Sequence, residues 1–304
     1  MVYILYTKNM DDEELSKYRA AGKIAKEVRD WSRGLIKPGA RIFDIAEKIE
    51  ARIFEQKGEL AFPVNICIND VTAHYTPKYN DTISLKDSDV VSIDLGVHVD
   101  GFIADTAYSI DLGGKHGIML EVNRKALEKV VEKIRPNVSV RELGSTVYDF
   151  VTKSGFKPIE NLTGHEVKRY DLHAGISIPN IPVPYDWKLE EGMTLAVEPF
   201  VTNGCGRVVE SRHVNIYSLL ENKPTRIPEA RALLKEVESR EKLPFAERWY
   251  AKKINPLKLP LAVQELLSKR AIRSYPTLHE KEKGVVTQFE HTMIVTKDSC
   301  EVIT

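Results

Sequence analysis

Val91-Ser92-Ile93-Asp94-Leu95-Gly96-Val97-His98-Val99-Asp100-Gly101-Phe102-Ile103-Ala104-Asp105-Thr106-Ala107 reads as two strands joined by a tight turn. Val91, Ile93, Leu95 and Val97 alternate with the residues between them, the period of a strand with one packed face. Asp100-Gly101 suits a two-residue hairpin turn, whose central positions both need positive φ. With that turn, Val99 pairs with Phe102 and Gly96 lies opposite Asp105. Asp94 and Asp105 then share a face as diagonal neighbours, their Cα atoms roughly 7–8 Å apart. Leu95, Val97, Phe102 and Ala104 form the other face, expected to be the packed one, while Gly96 leaves room beside Asp105. Two carboxylates converging on one face repel. Either one keeps its proton at a raised pKa or a cation lies between them, unless both face water at a sheet edge.

At 304 residues the chain can bury roughly three quarters of its unfolded surface, enough for one large domain with an insertion. Lys+Arg and Asp+Glu are both 44, so formal charge is zero. That argues against binding polyanions through net positive charge, and nucleic acid is not an expected partner. Cys67, Cys205 and Cys300 are scattered, with no CxxC spacing, which fits a reducing compartment. Residues 2–6 are apolar but too few for a signal peptide; they read as a short edge strand or a disordered leader. No later run approaches a membrane span, so a soluble cytoplasmic protein is expected.

Residues 11–33 predict a helix with an acidic first turn, closed by Gly34 in the left-handed conformation. Its apolar face is Leu15, Tyr18, Ala21, Ile24, Ala25, Val28 and Trp31. A second helix is expected over 42–57, with Ile45, Ala46, Ile49, Ile53 and Phe54 on one side. Strand-like sequence over 62–69 leads to His74, at the change from strand to loop. The second half repeats the order, with helices at 122–134 and 140–154 and strands from about Pro158. Residues 178–184 are proline-rich and expected to be extended. Residues 194–200 and 285–295 read as strands in which Glu198 and Glu290 interrupt apolar runs, and a buried carboxylate needs a partner. Glu290 would share a face with Val286 and Ile294. Between them, 211–277 reads as a compact helical insertion with helices at 229–240, 245–252 and 260–269, set apart from a domain of residues 1–210 plus 278–304.

Asp94, Asp105, His165, Glu198 and Glu290 each lie on or beside an expected strand. Four carboxylates and an imidazole suit manganese, iron, cobalt or zinc rather than a thiolate-loving ion. Four carboxylates can also bridge two metal ions, a hydrolytic arrangement.

The order Asp94, Asp105, Gly164-His165, Glu198-Pro199-Phe200 and Gln288-Phe289-Glu290-His291 resembles the methionine aminopeptidases of the pita-bread fold. Leu172-His173-Ala174-Gly175, Ala73-His74-Tyr75-Thr76-Pro77 and the insertion before Glu290 resemble their type II subgroup. Without the long charged N-terminal extension of eukaryotic members, the chain looks archaeal in form. The resemblance implies an α+β pita-bread (creatinase/aminopeptidase) fold with two pseudo-symmetric halves. It implies two divalent metal ions, cobalt, manganese, iron or zinc, with Asp94 on one, His165 and Glu198 on the other, and Asp105 and Glu290 bridging both. The metals would activate the water that attacks the carbonyl after the first residue, with Glu198 as proton shuttle. His74 and His173 would contact the scissile amide as catalytic groups, positioned donors that stabilise the developing oxyanion or the leaving amine, and Phe62, Leu172, Phe200 and Tyr275 would line the methionine pocket. The implied substrates are nascent polypeptide N-termini with a small second residue, acted on by a monomer. Prolidases and X-Pro aminopeptidases share the five ligands but carry a sizeable domain before the first helix. A further nucleic-acid or ribosome contact stays open because the insertion is rich in basic residues, and a non-enzymatic relative would have lost ligands.

Overall fold

The computed structural model describes residues 10–304, and the expectation for residues 2–6 lies outside them. Helix α1 (Asp12–Ser32) opens on a capping box: Asp11 accepts from the Glu14 N–H at 2.9 Å, and Glu14 accepts from the Asp11 N–H. Gly34 does not end it in a left-handed turn. The chain tightens into a 3₁₀ turn, Arg33–Leu35, where the Ile36 N–H reaches the Arg33 carbonyl at 3.3 Å. The positive φ falls instead at Gly39, in the loop before α2 (Ile42–Glu55). Tyr18, Ala21, Ala25 and Val28 of α1 are buried with Ile45, Ala46, Ile49 and Ile53 of α2. Burying an isoleucine contributes about 1.5–3 kcal/mol relative to exposure. Trp31 and Phe54 depart from those faces, 42% and 56% exposed. Arg52 lies over the Trp31 ring, so that contact is made at the surface between the two helices.

The hairpin forms in the expected register. Val90–Val99 pairs with Phe102–Asp111, Val99 opposite Phe102 and Gly96 opposite Asp105, around Asp100 (φ 50°) and Gly101 (φ 87°). Leu95, Val97 and Ala104 are fully buried. The space at Gly96 is not left open, however: a Cβ there would stand 2.2 Å from Cε1 of Phe62, whose ring fills it. Glu59–Leu60 and Asn65–Ile68 pair along the other edge of Val90–Val99.

In the second half α3 (Gly117–Val131) and α4 (Val140–Lys153) pack on a five-stranded sheet. Its strand order is Cys300–Val302, His291–Val295, Thr194–Val197, Thr163–Lys168, Asp171–Pro179. Each half therefore lays two helices over an antiparallel sheet, the two-halved α+β architecture of the pita-bread fold. The chain after Pro179 leaves the sheet, so only the first residues of 178–184 are strand.

Two expected strands are each broken by their glutamate. Thr194–Val197 belongs to the five-stranded sheet, whereas Phe200–Thr202 lies in a smaller one with Val286–Gln288 and Lys157–Pro158. Likewise Val286–Gln288 and His291–Val295 are separate strands. Val197 pairs with His291 and Phe200 with Gln288, so the two segments pass from one sheet to the other side by side. Glu198-Pro199 and Phe289-Glu290 occupy the crossing. Pro199 has no N–H to continue a ladder, and Glu290 does not share an unbroken strand face with Val286 and Ile294.

The stretch 211–277 is not helical throughout. It begins and ends in strands, Val208–Leu219 paired with Ile272–Glu280, and these join Phe245–Ala246 and Val71–Ala73 in a four-stranded sheet. Bulges between Glu210 and Val214 and between Val214 and Ile216 interrupt the period-two pattern, which hides the strand in the sequence. Helices α5 (Pro228–Glu238) and α6 (Leu259–Ser268) pack on this sheet. Residues 245–252, expected to be helical, form the short strand and a 3₁₀ turn, Glu247–Tyr250. The expected boundaries at 210/211 and 277/278 thus fall inside paired strands, and the insertion shares its sheet with the strand leading to His74.

Candidate metal and substrate site

Strands of four sheets meet around one cavity of about 230 Å³. Every site residue expected from the sequence lines it: Asp94, Asp105, His165, Glu198 and Glu290; His74 and His173; Phe62, Leu172, Phe200 and Tyr275. The hairpin brings Asp94 and Asp105 to one face. Asp105 is held by reciprocal bonds with Thr292, its N–H donating to Thr292 Oγ1 at 2.7 Å and its carbonyl accepting from that hydroxyl at 2.8 Å. Glu290 is placed by its N–H to the Ala107 carbonyl and by Thr106 Oγ1, which donates to the Glu290 carbonyl at 2.9 Å. His165 lies on Thr163–Lys168, with Nε2 3.9 Å from Asp105 Oδ2 and 3.6 Å from Glu198 Oε1. These separations are too long for hydrogen bonds and suit groups facing a common cation.

Ligand atoms of Asp105, His165 and Glu290 lie within 4.8 Å of one another. Among the described residues, Asp94 Oδ1, Asp105 Oδ1 and both Glu290 carboxylate oxygens are buried without a hydrogen-bond partner. A buried acceptor left unpaired costs about 1–3 kcal/mol, more when charged. Four together form a donor set that fits a divalent cation of the oxygen- and nitrogen-loving kind.

The electrostatics agree. Burial pushes the Asp94 carboxyl up to about 7. Burial and then the charges of Asp94 and Glu198 hold Asp105 well above the usual carboxylate range. Glu198 is raised by burial and by Asp94, and Glu290 by burial and then by Asp105, Glu198 and Asp94. A cation among the four reverses each shift. Burial lowers the histidines instead: His165 to about 4, His173 well below its usual value with help from His165 and His74, and His74 in the same direction.

His74 takes a left-handed backbone (φ 62°) where Val71–Ala73 ends. Its Nδ1 lies 3.3 Å from the Pro276 carbonyl. A carbonyl only accepts, so Nδ1 carries the proton and the Nε2 of the neutral ring has a free lone pair. The Tyr275 ring stands 5.6 Å from His74 and 6.4 Å from His173, and His173 is 4.5 Å from His165, ring centre to ring centre.

Several contributors went unassigned in the sequence. Gln288, quoted only as part of a motif, donates to Glu198 Oε2 at 3.2 Å. Asn65 sits opposite Asp94 in the sheet, with its Nδ2 bound to the Pro63 carbonyl. Ile216 and Pro244 enter the cavity from the insertion. A polar residue inside an apolar strand was a usable signal for Gln288 and Asn65; Ile216 and Pro244 carried none.

The sequence matches the model of metallopeptidase family M24 over residues 16–297. It is 46% identical over 293 residues to the methionine aminopeptidase of Pyrococcus abyssi (strain GE5 / Orsay), a match covering 96% of this chain and 99% of that relative. Identity to the methionine aminopeptidase of Methanocaldococcus jannaschii is 43% over 296 residues, covering 97% of this chain and all of the relative, 100%. The crystal structure of the Thermotoga maritima methionine aminopeptidase superposes with a TM-score of 0.72 at 22% identity, covering 97% of both chains. A thermophilic Arx1 gives a TM-score of 0.86 at 18% identity, covering 97% of this chain and 91% of that one. At such identities the two structures share the fold, and nothing further follows from them.

Proposed function

The chain belongs to metallopeptidase family M24, and from that premise we propose that it removes the N-terminal methionine of nascent proteins and peptides whose second residue is small, using two divalent metal ions. The observation that carries the reading is the group of unpaired carboxylate oxygens beside an apolar, aromatic cavity wall. Asp94, Asp105, His165, Glu198 and Glu290 would hold the metals, Asp105 and Glu290 bridging. Such ions lower the pKa of water and polarise a carbonyl.

The chain's own groups do the rest. Glu198, held in place by the Gln288 side-chain amide, receives and returns a proton. His74, with its proton committed to the Pro276 carbonyl, accepts from the substrate amide N–H through Nε2. That refines the donor role expected for it. His173 is neutral and donates its ring N–H to the developing oxyanion. Phe62, Leu172, Phe200 and Tyr275 offer apolar contacts to an unbranched thioether, and a charged first residue buried there would lack a partner. Among the described residues no helix is long and apolar enough to cross a membrane. We place the reaction in the cytoplasm, where nascent chains are made, and assign no ribosome contact.

The test is kcat/KM on Met-Ala-Ser, Met-Lys-Ser, Leu-Ala-Ser and Ala-Pro peptides after stripping the metals and restoring manganese, iron or cobalt. Met-Ala-Ser should be preferred. A prolidase would choose Ala-Pro, and that outcome would overturn the methionine assignment.

A further inference from the structure

Arg240, in the insertion just beyond α5, does not line the cavity, yet its guanidinium joins two chain segments that do. Its Nη2 donates to the Leu60 carbonyl at 2.8 Å, the Ala61 carbonyl at 3.3 Å and the Pro244 carbonyl at 2.8 Å, and Nε reaches Pro244 again at 3.1 Å. Leu60 and Ala61 lead directly into Phe62, and Pro244 is itself a wall of the cavity. The guanidinium plane is seated over Trp249 at 4.8 Å, and the Trp249 indole N–H is tied to Glu50 at 2.8 Å. Phe62 is constrained from the other side as well. Its ring lies against the bare Cα of Gly96, and the preceding Ala61 N–H donates to the Gly96 carbonyl at 2.9 Å.

We propose that Arg240 is a positioning residue for the methionine pocket: it clamps the Phe62 segment to the Pro244 loop and so sets the pocket width. This rests on the aminopeptidase reading above. A fork of five fixed donors can hold carbonyls from two segments at once, whereas a lysine ammonium offers one flexible point. Without the fork, the backbone on either side of the pocket can part while the metal site, built on other strands, keeps its geometry. Arg240 thus acts on substrate fit rather than on the reacting bond.

The experiment compares Arg240→Met and Arg240→Lys in the full chain, alone and combined with Phe62→Ala. Arg240→Met should raise KM for Met-Ala-Ser about tenfold with kcat nearly unchanged, the signature of lost ground-state fit, and should narrow the preference for methionine over leucine. Arg240→Lys should fall between. In the Phe62→Ala background the Arg240 effect should vanish, because the residue through which it acts is gone; a merely structural role would persist there. Metal content should stay at the wild-type value. Should Arg240→Met not fold, Arg240→Lys carries the same comparison. Labelling the nine phenylalanines with fluorine provides a readout that does not need turnover. The Phe62 signal, assigned by its loss in Phe62→Leu, should shift or broaden in the Arg240 variants. A wild-type chain inactive on methionyl peptides would remove the functional reading alone, and the fluorine signal would still decide the clamp. An unchanged Phe62 signal, a loss confined to kcat, or an Arg240 effect equal in both backgrounds would overturn it.

Discussion

Gly96→Ala is the smallest change that should close the pocket. The added Cβ would stand 2.2 Å from Cε1 and 2.6 Å from Cδ1 of Phe62, and 2.9 Å from the Ala61 Cβ. Gly96 has no left-handed φ, so the substitution brings steric pressure without backbone strain. To recover an ordinary contact of 3.4 Å the ring must retreat about 1.2 Å, away from the hairpin and into the cavity it lines. Ala61 cannot follow easily, being bonded to the Gly96 carbonyl and gripped by Arg240. Overpacking of this kind costs about 1–3 kcal/mol. Taken wholly as lost pocket affinity, that is a rise in KM of about 5- to 150-fold. Taken as stability, it is a fall in Tm of up to about 5 °C in a chain of this length. The assay is KM and kcat on Met-Ala-Ser with Tm and metal content measured on the same samples. Gly96→Ala/Phe62→Leu should recover most of the loss, since the smaller side chain yields the space. A single variant with wild-type KM and Tm would refute the reasoning, because the ring would then have somewhere else to go.

Asp105→Asn should abolish hydrolysis at every metal concentration, as a neutral amide cannot bridge two cations; near-normal rates with added metal would remove the two-metal reading. His173→Ala should cut kcat by ~10²-fold or more, the scale of a lost positioned donor, while metal content is unchanged. Loss of metal would show it to be a ligand instead. The Asp94 carboxyl, pushed up to about 7, is protonated below that pH, and proton and cation compete for the same oxygens. Metal affinity should therefore weaken as pH falls through 7, by about tenfold per pH unit for each proton displaced; calorimetry giving a flat affinity across that pH would sink the idea. Arg248→Met strands the buried Glu50, which Arg248 Nη1 approaches at 2.7 Å, and should cost about 3–5 kcal/mol, seen as a Tm loss of about 5–8 °C. An unchanged Tm would mean Trp249 and the Val64 N–H suffice to hold Glu50.

The hairpin was legible because alternation and Asp-Gly are local signals, and local signals survive folding. Glu198 and Glu290 were visible as charges inside apolar runs for the same reason. What could not be read was that each marks a change of sheet. Sheet membership depends on which distant strand lies alongside, and nothing near Glu290 in the sequence announces Val197 or Ala107. The insertion shows the opposite failure. Two bulges destroyed the period of Val208–Leu219, so the helices around it dominated the reading. Gly34 was misassigned because a 3₁₀ turn ends a helix as well as a left-handed glycine does. Gly96 does not leave the open room beside Asp105 that its missing side chain suggested, because the ring that fills it, Phe62, arrives by a tertiary contact. His74 was located, while its proton could be assigned only once Pro276 was known to face it.

The reciprocal bonds between Asp105 and Thr292 join residues 187 positions apart in sequence. Until that contact closes, the hairpin carries Asp94 and Asp105 with no Glu290 beside them. Closing so long a loop is slow and entropically costly, and the contacts that reward it come late. A refolding chain should thus build the hairpin early and take up metal only after the strand at Thr292 docks. Metal present during refolding would then leave the folding rate nearly unchanged and act on the reverse step, lengthening the life of the native state.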